Sequence, residues 1–170
     1  ATATRQTIDL RSKKQLDKSQ LAGKVVIDGL NTIITLEVAL SSGILVKCMD
    51  GTIRDLAGLR GTYRLIDQTR AAIKFIGEHL LQLNIQEAVI YLDAPVSNTG
   101  RLKALIYELL AGYPYNVDVE LVNNVDVILA GSDQVISSDA IILNKCNSWY
   151  NLVADILQDK LADISIIDLS

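Results

Sequence analysis

The chain has 170 residues, of which 49% are hydrophobic and 21% charged, and a net charge of −4 at pH 7. That length supports one domain with a real core, and the composition excludes disorder. No apolar run is long enough to span a bilayer, no signal-peptide pattern opens the chain, and the acidic balance argues against broad adhesion to nucleic acid while permitting a local basic groove.

Cys48 and Cys146 stand in unrelated contexts without metal-ligand spacing. They are expected to be free, half-buried thiols in a reducing cytosol, which predicts a cytoplasmic protein. The single histidine, His79, lies in the helical pattern FIGEHLLQL, which argues against histidine-dependent triads and typical zinc sites. Carboxylates remain as the carriers of any demanding chemistry, and carboxylates recruit hard cations such as magnesium or manganese.

Residues 1–23 mix Thr, Arg, Lys, Gln and Asp and include Arg5, Arg11, Lys13, Lys14 and Lys18, the most basic end of an acidic chain. They read as a solvated arm or linker ahead of a domain spanning 24–170. The stretch KVVIDGLNT, Lys24 to Thr32, is a β-branched run closed by an acid, a glycine and an amide. It predicts a strand buried on both faces, with Asp28 in the crevice at the carboxyl end of a parallel sheet. Gly29 permits a sharp turn, and Asn31 either caps the next helix or reaches back to the acid.

A short helix is expected over Thr32 to Leu40, carrying Glu37 either as a second carboxylate near Asp28 or as a solvated side chain. ILVKCMDGTIRDL then gives two β-prone runs around Asp50-Gly51, a hairpin signal that makes Asp50 a turn residue. RDLAGLRGTYR brings Arg54, Arg60 and Arg64 together with two glycines and a tyrosine. Arginine forks bind phosphate oxygens in pairs, so this is either a phosphate-binding loop or a surface loop paired with acids such as Asp55 and Asp67.

Asp67 to Leu83 has the spacing of an amphipathic helix. EAVIYLD repeats the opening grammar, a buried strand closing on Asp93, and VSNTG follows, in which Ser97 or Asn98 can cap a helix over Arg101 to Leu110. Arg101 and Lys103 in its first turn oppose the helix dipole, a local cost that an anion or acid cluster in front of them would offset. Val117 to Val122 reads as an edge strand, Val125 to Ala130 as a short helix behind Asn123 and Asn124, and Gln134 to Asp139 as a third strand ending in an acid. Ser137 and Ser138 are small hydroxyl residues able to hold a carboxylate or a metal-bound water. Helical turns at 140–144 and 149–160 and a last strand at 164–169 complete the chain, with Trp149 expected as a core anchor.

Alternation of strands and helices predicts a three-layer α/β/α domain with a mainly parallel central sheet and a β-hairpin insertion. Asp28, Asp93 and Asp139 then share one sheet edge, where three carboxylates repel unless a cation neutralises them. Asp133 and Glu37 are candidate fourth members of the set.

VVIDGLN, YLDAPVSNTGRL and VISSDAIIL resemble the acidic strand ends of PIN-like nucleases. The resemblance implies a compact α/β domain that binds Mg2+ or Mn2+ through Asp28, Asp93 and Asp139 and cleaves RNA, with Asp133 the candidate further metal ligand from the strand-edge reading. It also implies that Asn31 orients a carboxylate or water; beside it, the reading of the residues themselves makes Arg54, Arg60, Arg64, Ser97, Asn98, Arg101 and Ser138 the candidates for contact with phosphate or substrate. IDGLNTIITLEVAL, RDLAGLRGTYR and LDAPVSNTGR are also similar to an uncharacterised prokaryotic family of unknown function that covers nearly all of the chain from Lys24 onward. Two features depart from the PIN-like pattern. Its central acid often opens a helix, whereas Asp93 sits in a Leu-Asp-Ala-Pro turn, and the insertion from Ile44 to Tyr63 exceeds the minimal fold.

The readings that follow are a metal-dependent ribonuclease, a nonenzymatic nucleotide or nucleic-acid binding module, and a small-molecule phosphohydrolase. The last is ranked lowest because its usual second acid, two residues after the first, is here Leu30. The apolar tail DISIIDLS suits either an edge contact in a homodimer or a strand folded onto its own sheet.

Overall fold

Four short runs rich in β-branched residues form the central sheet: β1 (Gly23–Asp28), β4 (Ile85–Asp93), β5 (Asn116–Val122) and β6 (Val135–Ile136). The computed structural model describes residues 4–41, 45–47, 50–55, 63–160 and 166–168. All pairings in this sheet are parallel and the order is β5-β4-β1-β6, so β1 is flanked on both sides. Its neighbouring residues therefore face opposite layers. Val25 and Ile27 enter one core with Ala88, Ile90 and Leu92, while Val26 and Val89 enter another.

The first core is closed by the helices α2 (Gly29–Leu40), α3 (Asp67–Leu81), α4 (Thr99–Leu110) and α7 (Leu152–Lys160). The second is closed by α5 (Val125–Leu129) and α6 (Ala140–Lys145). The result is the expected three-layer α/β/α arrangement. The hairpin is present as β2 (Leu45–Lys47) antiparallel to β3 (Ile53–Asp55), and β7 (Ile166–Asp168) joins β2 in parallel to make a second, three-stranded sheet. The terminal strand thus lies on the hairpin sheet.

The amino-terminal arm is tied down rather than free. Its helix α1 (Arg5–Lys14) carries Arg11, only 3% exposed, whose guanidinium donates to Asp50 Oδ2 at 2.8 Å and to Asn144 Oδ1 at 2.7 Å. Lys14 Nζ donates to the carbonyls of Leu143, Asn144 and Cys146 at the end of α6, where cationic charge suits the helix dipole. Trp149 is fully buried and donates its indole N–H to the Arg11 carbonyl. Asp50 is a turn residue as expected, accepting from Thr52 N–H, yet its carboxylate is also the buried counter-ion of Arg11.

Several boundaries differ from expectation. α2 starts three residues earlier, at Gly29, α4 two earlier, at Thr99, and β4 two earlier, at Ile85, while α3 ends at Leu81. Two further differences have side-chain or bridging causes. The third strand covers Val135–Ile136 only, because side chains replace the ladder on either side of it. Gln134 takes a positive φ of 52° and its amide donates to the carbonyls of Ala22 and Lys24, while Ser137 Oγ accepts from Asp139 N–H. The last helix begins at Leu152, since Trp149 is held in bridges to Gln15 and Val135.

Candidate functional site

Register brings the acids to one edge. Asp28 pairs with Tyr91, two residues before Asp93, and Ile27 pairs with Ile136, one residue before Ser137. The carboxyl ends of β1, β4 and β6 therefore lie side by side. Alternation points Asp28 and Asp93 towards the layer of Val26 and Val89, which is also the layer of α5 and α6.

Asp28 is the centre of the group. It is 6% exposed and accepts a 2.8 Å hydrogen bond from Ser137 Oγ. Burial, with further contributions from Asp93, Asp139 and Asp126, pushes its pKa up to about 7 against the partial relief of the Ser137 hydroxyl. Every charge acting on it, among the described residues, is negative. Asp93 is half-buried and also raised, by burial first and by Asp126 second. Asp139 caps α6, its Oδ1 accepting from the N–H groups of Ile141 and Ile142. Asn31 Oδ1 accepts from both the N–H and the hydroxyl of Ser138 at 2.9 and 3.1 Å, so the β6 exit is laced to the start of α2.

The four acids share an edge without closing on one another. Among the described residues, no three of their oxygens lie within 4.8 Å of each other. The arrangement is an open, oxygen-only donor set around one buried carboxyl.

Asp126 is the acid that sequence reasoning missed. It stands in the first turn of α5, four residues beyond the end of β5. The usable signal was an acid soon after a fourth strand, hidden because it follows Asn123-Asn124 rather than closing the strand itself. The two candidate fourth members lie elsewhere. Asp133 precedes β6, at the opposite edge of the parallel sheet, where its charge acts on Cys146. Glu37 is buried in the other layer, accepting from the Tyr63 and Thr69 hydroxyls, and burial raises its pKa.

The expected phosphate ligands are dispersed. Arg60 lies outside the described residues, and Arg54 is placed by its backbone in β3. Exposed Arg64 lines an open hollow with Tyr63, Ser97 and Asn98. Ser97 Oγ donates to the Tyr63 carbonyl and accepts from its N–H, and Asn98 Nδ2 donates to the same carbonyl, so both side chains clamp that backbone. Arg101 lines a second hollow between α3 and α4 with Arg70 and Glu108. None of the four strand-edge acids borders either hollow.

Gly29 owes its identity to packing. Its φ is not positive, but a Cβ there would lie 2.6 Å from Leu92 Cδ2, 2.8 Å from Ile90 Cγ2 and 2.9 Å from the Tyr91 carbonyl oxygen. The missing side chain lets α2 start directly against β4, with Asp28 at its N-terminal boundary. Leu30 points into the core at 2% exposure.

No helix among the described residues is long and apolar enough to cross a membrane. No solved structure matches the chain with significance. An uncharacterised protein of Methanocaldococcus jannaschii, MJ0935, is 33% identical over 154 residues, covering 89% of this chain and 74% of that protein. Residues 18–155, which contain β1, β4, β5, β6 and all four edge acids, match the family described as domain of unknown function DUF5616, and the chain belongs to that family.

Proposed function

We propose that this chain is a PIN-like phosphodiesterase that cleaves RNA with Mg2+ or Mn2+, centred on Asp28. One observation carries the reading: a buried carboxyl is surrounded by three further acids with no cation among the described residues to offset them. Such a group is costly as an anion unless a positive ion shares its site. An all-oxygen set suits a hard cation. Its open spacing suits one that keeps several waters and takes only one or two carboxylates directly.

Asp28 and Asp93 would hold the ion, with Asp126 and Asp139 acting on it through water. When bound, such an ion lowers the pKa of a water and stabilises charge on phosphate oxygens. The Ser137 hydroxyl fixes one oxygen of Asp28, which leaves the other for the ion. Asn31, with Oδ1 committed to Ser138, retains an N–H2 donor for a substrate oxygen. The position of Asp126 at a helix start matches the place where PIN-like enzymes often carry their central acid.

A second reading, nucleic-acid binding without cleavage, is favoured by the separation of Arg64 and Arg101 from the acids. The two are told apart by incubating a panel of single-stranded and structured RNAs with the protein and Mn2+. The enzyme reading expects cleavage that EDTA abolishes and that Asp28→Asn lowers about a hundredfold or more. Salt-sensitive binding with intact RNA across the panel would contradict it.

A further inference from the structure

The sequence argues against a typical zinc site because it holds one histidine and no ligand spacing around it. The fold supplies what spacing conceals. His79 sits near the end of α3, and Asp155 and Asp159 sit one turn apart on α7, which packs against it. Among the described residues, ligand atoms of these three, and of no other trio of His, Cys, Asp or Glu, lie within 4.8 Å of one another.

The state of His79 is the informative feature. It is 1% exposed, and its Nδ1 lies 3.1 Å from the Phe75 carbonyl, an acceptor only, so Nδ1 carries the proton. That leaves Nε2, fully buried and without a hydrogen-bond partner among the described residues, facing Asp159 Oδ2 at 3.5 Å. A charge-assisted N–H to carboxylate hydrogen bond is about 2.7–2.9 Å long, so the 3.5 Å contact is close enough for charges to act but too long for a formed hydrogen bond. Two ligands each about 2.1 Å from a tetrahedral Zn2+ stand ~3.4 Å apart, close to the 3.5 Å between His79 Nε2 and Asp159 Oδ2.

The surroundings fit the same use. A metal-binding imidazole almost always donates its other N–H to a carbonyl or carboxylate, as Nδ1 does here. Asp155 Oδ2 accepts from the Tyr150 hydroxyl at 3.1 Å and lies 3.1 Å from Lys18 Nζ, contacts that fix the carboxylate. Lys18 is the one cation paired with the trio among the described residues, through Asp155 Oδ2. Asp159, with its side chain 48% exposed, opens the site to solvent.

We infer that His79, Asp155 and Asp159 form a site for a zinc-type divalent transition-metal ion, bound by one nitrogen and two carboxylates with water completing the shell. The site joins α3 to α7 and is separate from the acids at the carboxyl edge of the sheet, since α3 ends where the chain turns towards the amino end of β4.

Because His79 is the chain's single histidine, its ring nitrogens can be read without ambiguity. Protein stripped with EDTA, labelled with 15N-histidine and titrated with ZnCl2 is expected to show the Nε2 resonance moving at one Zn2+ per chain. Asp159→Asn, at a solvent-facing position, is expected to weaken that binding about tenfold or more, while Asp28→Asn leaves it unchanged. An Nε2 resonance of a protonated imidazolium that excess Zn2+ does not move would overturn the inference. So would Zn2+ affinity that Asp159→Asn leaves intact.

Discussion

Asp28 is an acid whose fold works against its charge. Its carboxyl is raised from 3.8 to about 7, chiefly by burial and then by Asp93, Asp139 and Asp126. Between those two values the folded chain holds a proton that the unfolded chain has released. Folding stability is therefore favoured by protonation at low pH and falls as pH rises from about 4 through 7. The loss is up to ~4 kcal/mol, because each tenfold drop in proton concentration across that interval costs about 1.36 kcal/mol. Asp28→Asn mimics the protonated acid at every pH. In EDTA, urea unfolding at pH 5 and pH 8 is expected to show the native protein losing stability over that interval and the variant losing distinctly less. Parallel losses would mean that the buried carboxyl is not the source.

At the scale of elements, most of the edge could be read from residue order. A β-branched run cut off by an acid describes β1 and β4 correctly, because both faces of these strands are buried and the chain must become polar where the sheet ends. The rule failed where side chains rather than the strand set the geometry. β6 stops at Ile136 because Ser137 turns to Asp28 and Asp139. Asp126 escaped notice because it belongs to a five-residue helix behind two asparagines. The local sequence marks Gly29 as a turn residue, whereas its role is the contact between α2 and β4, a tertiary fact that the local sequence does not contain. Gly29→Ala is accordingly expected to destabilise by about 1–3 kcal/mol, as forced overpacking does, measured by urea unfolding. A change within the scatter of the native curve would place α2 further from β4 than described.

For the whole molecule, the α/β class followed from alternation, but the order β5-β4-β1-β6 did not, since it depends on which strand each crossover returns to. That order matters chemically because it puts β1 between the other two acid-bearing strand ends. It also separates the acids, in the layer of α5 and α6, from Arg64 and Arg101 across the sheet, a division invisible in the linear order of charged residues. The basic arm, read as a solvated linker, is pinned by Arg11 to Asp50, a pairing of residues 39 apart that charge patterning alone could not disclose.

The central claim is that the edge acids make a cation site around Asp28, and calorimetric titration of Mn2+ tests it most directly. The titration belongs in metal-free Asp159→Asn protein, so that the histidine site does not contribute. A binding heat is expected there, and its loss when Asp28→Asn is added. The same heat with and without the Asp28 carboxylate would contradict the account.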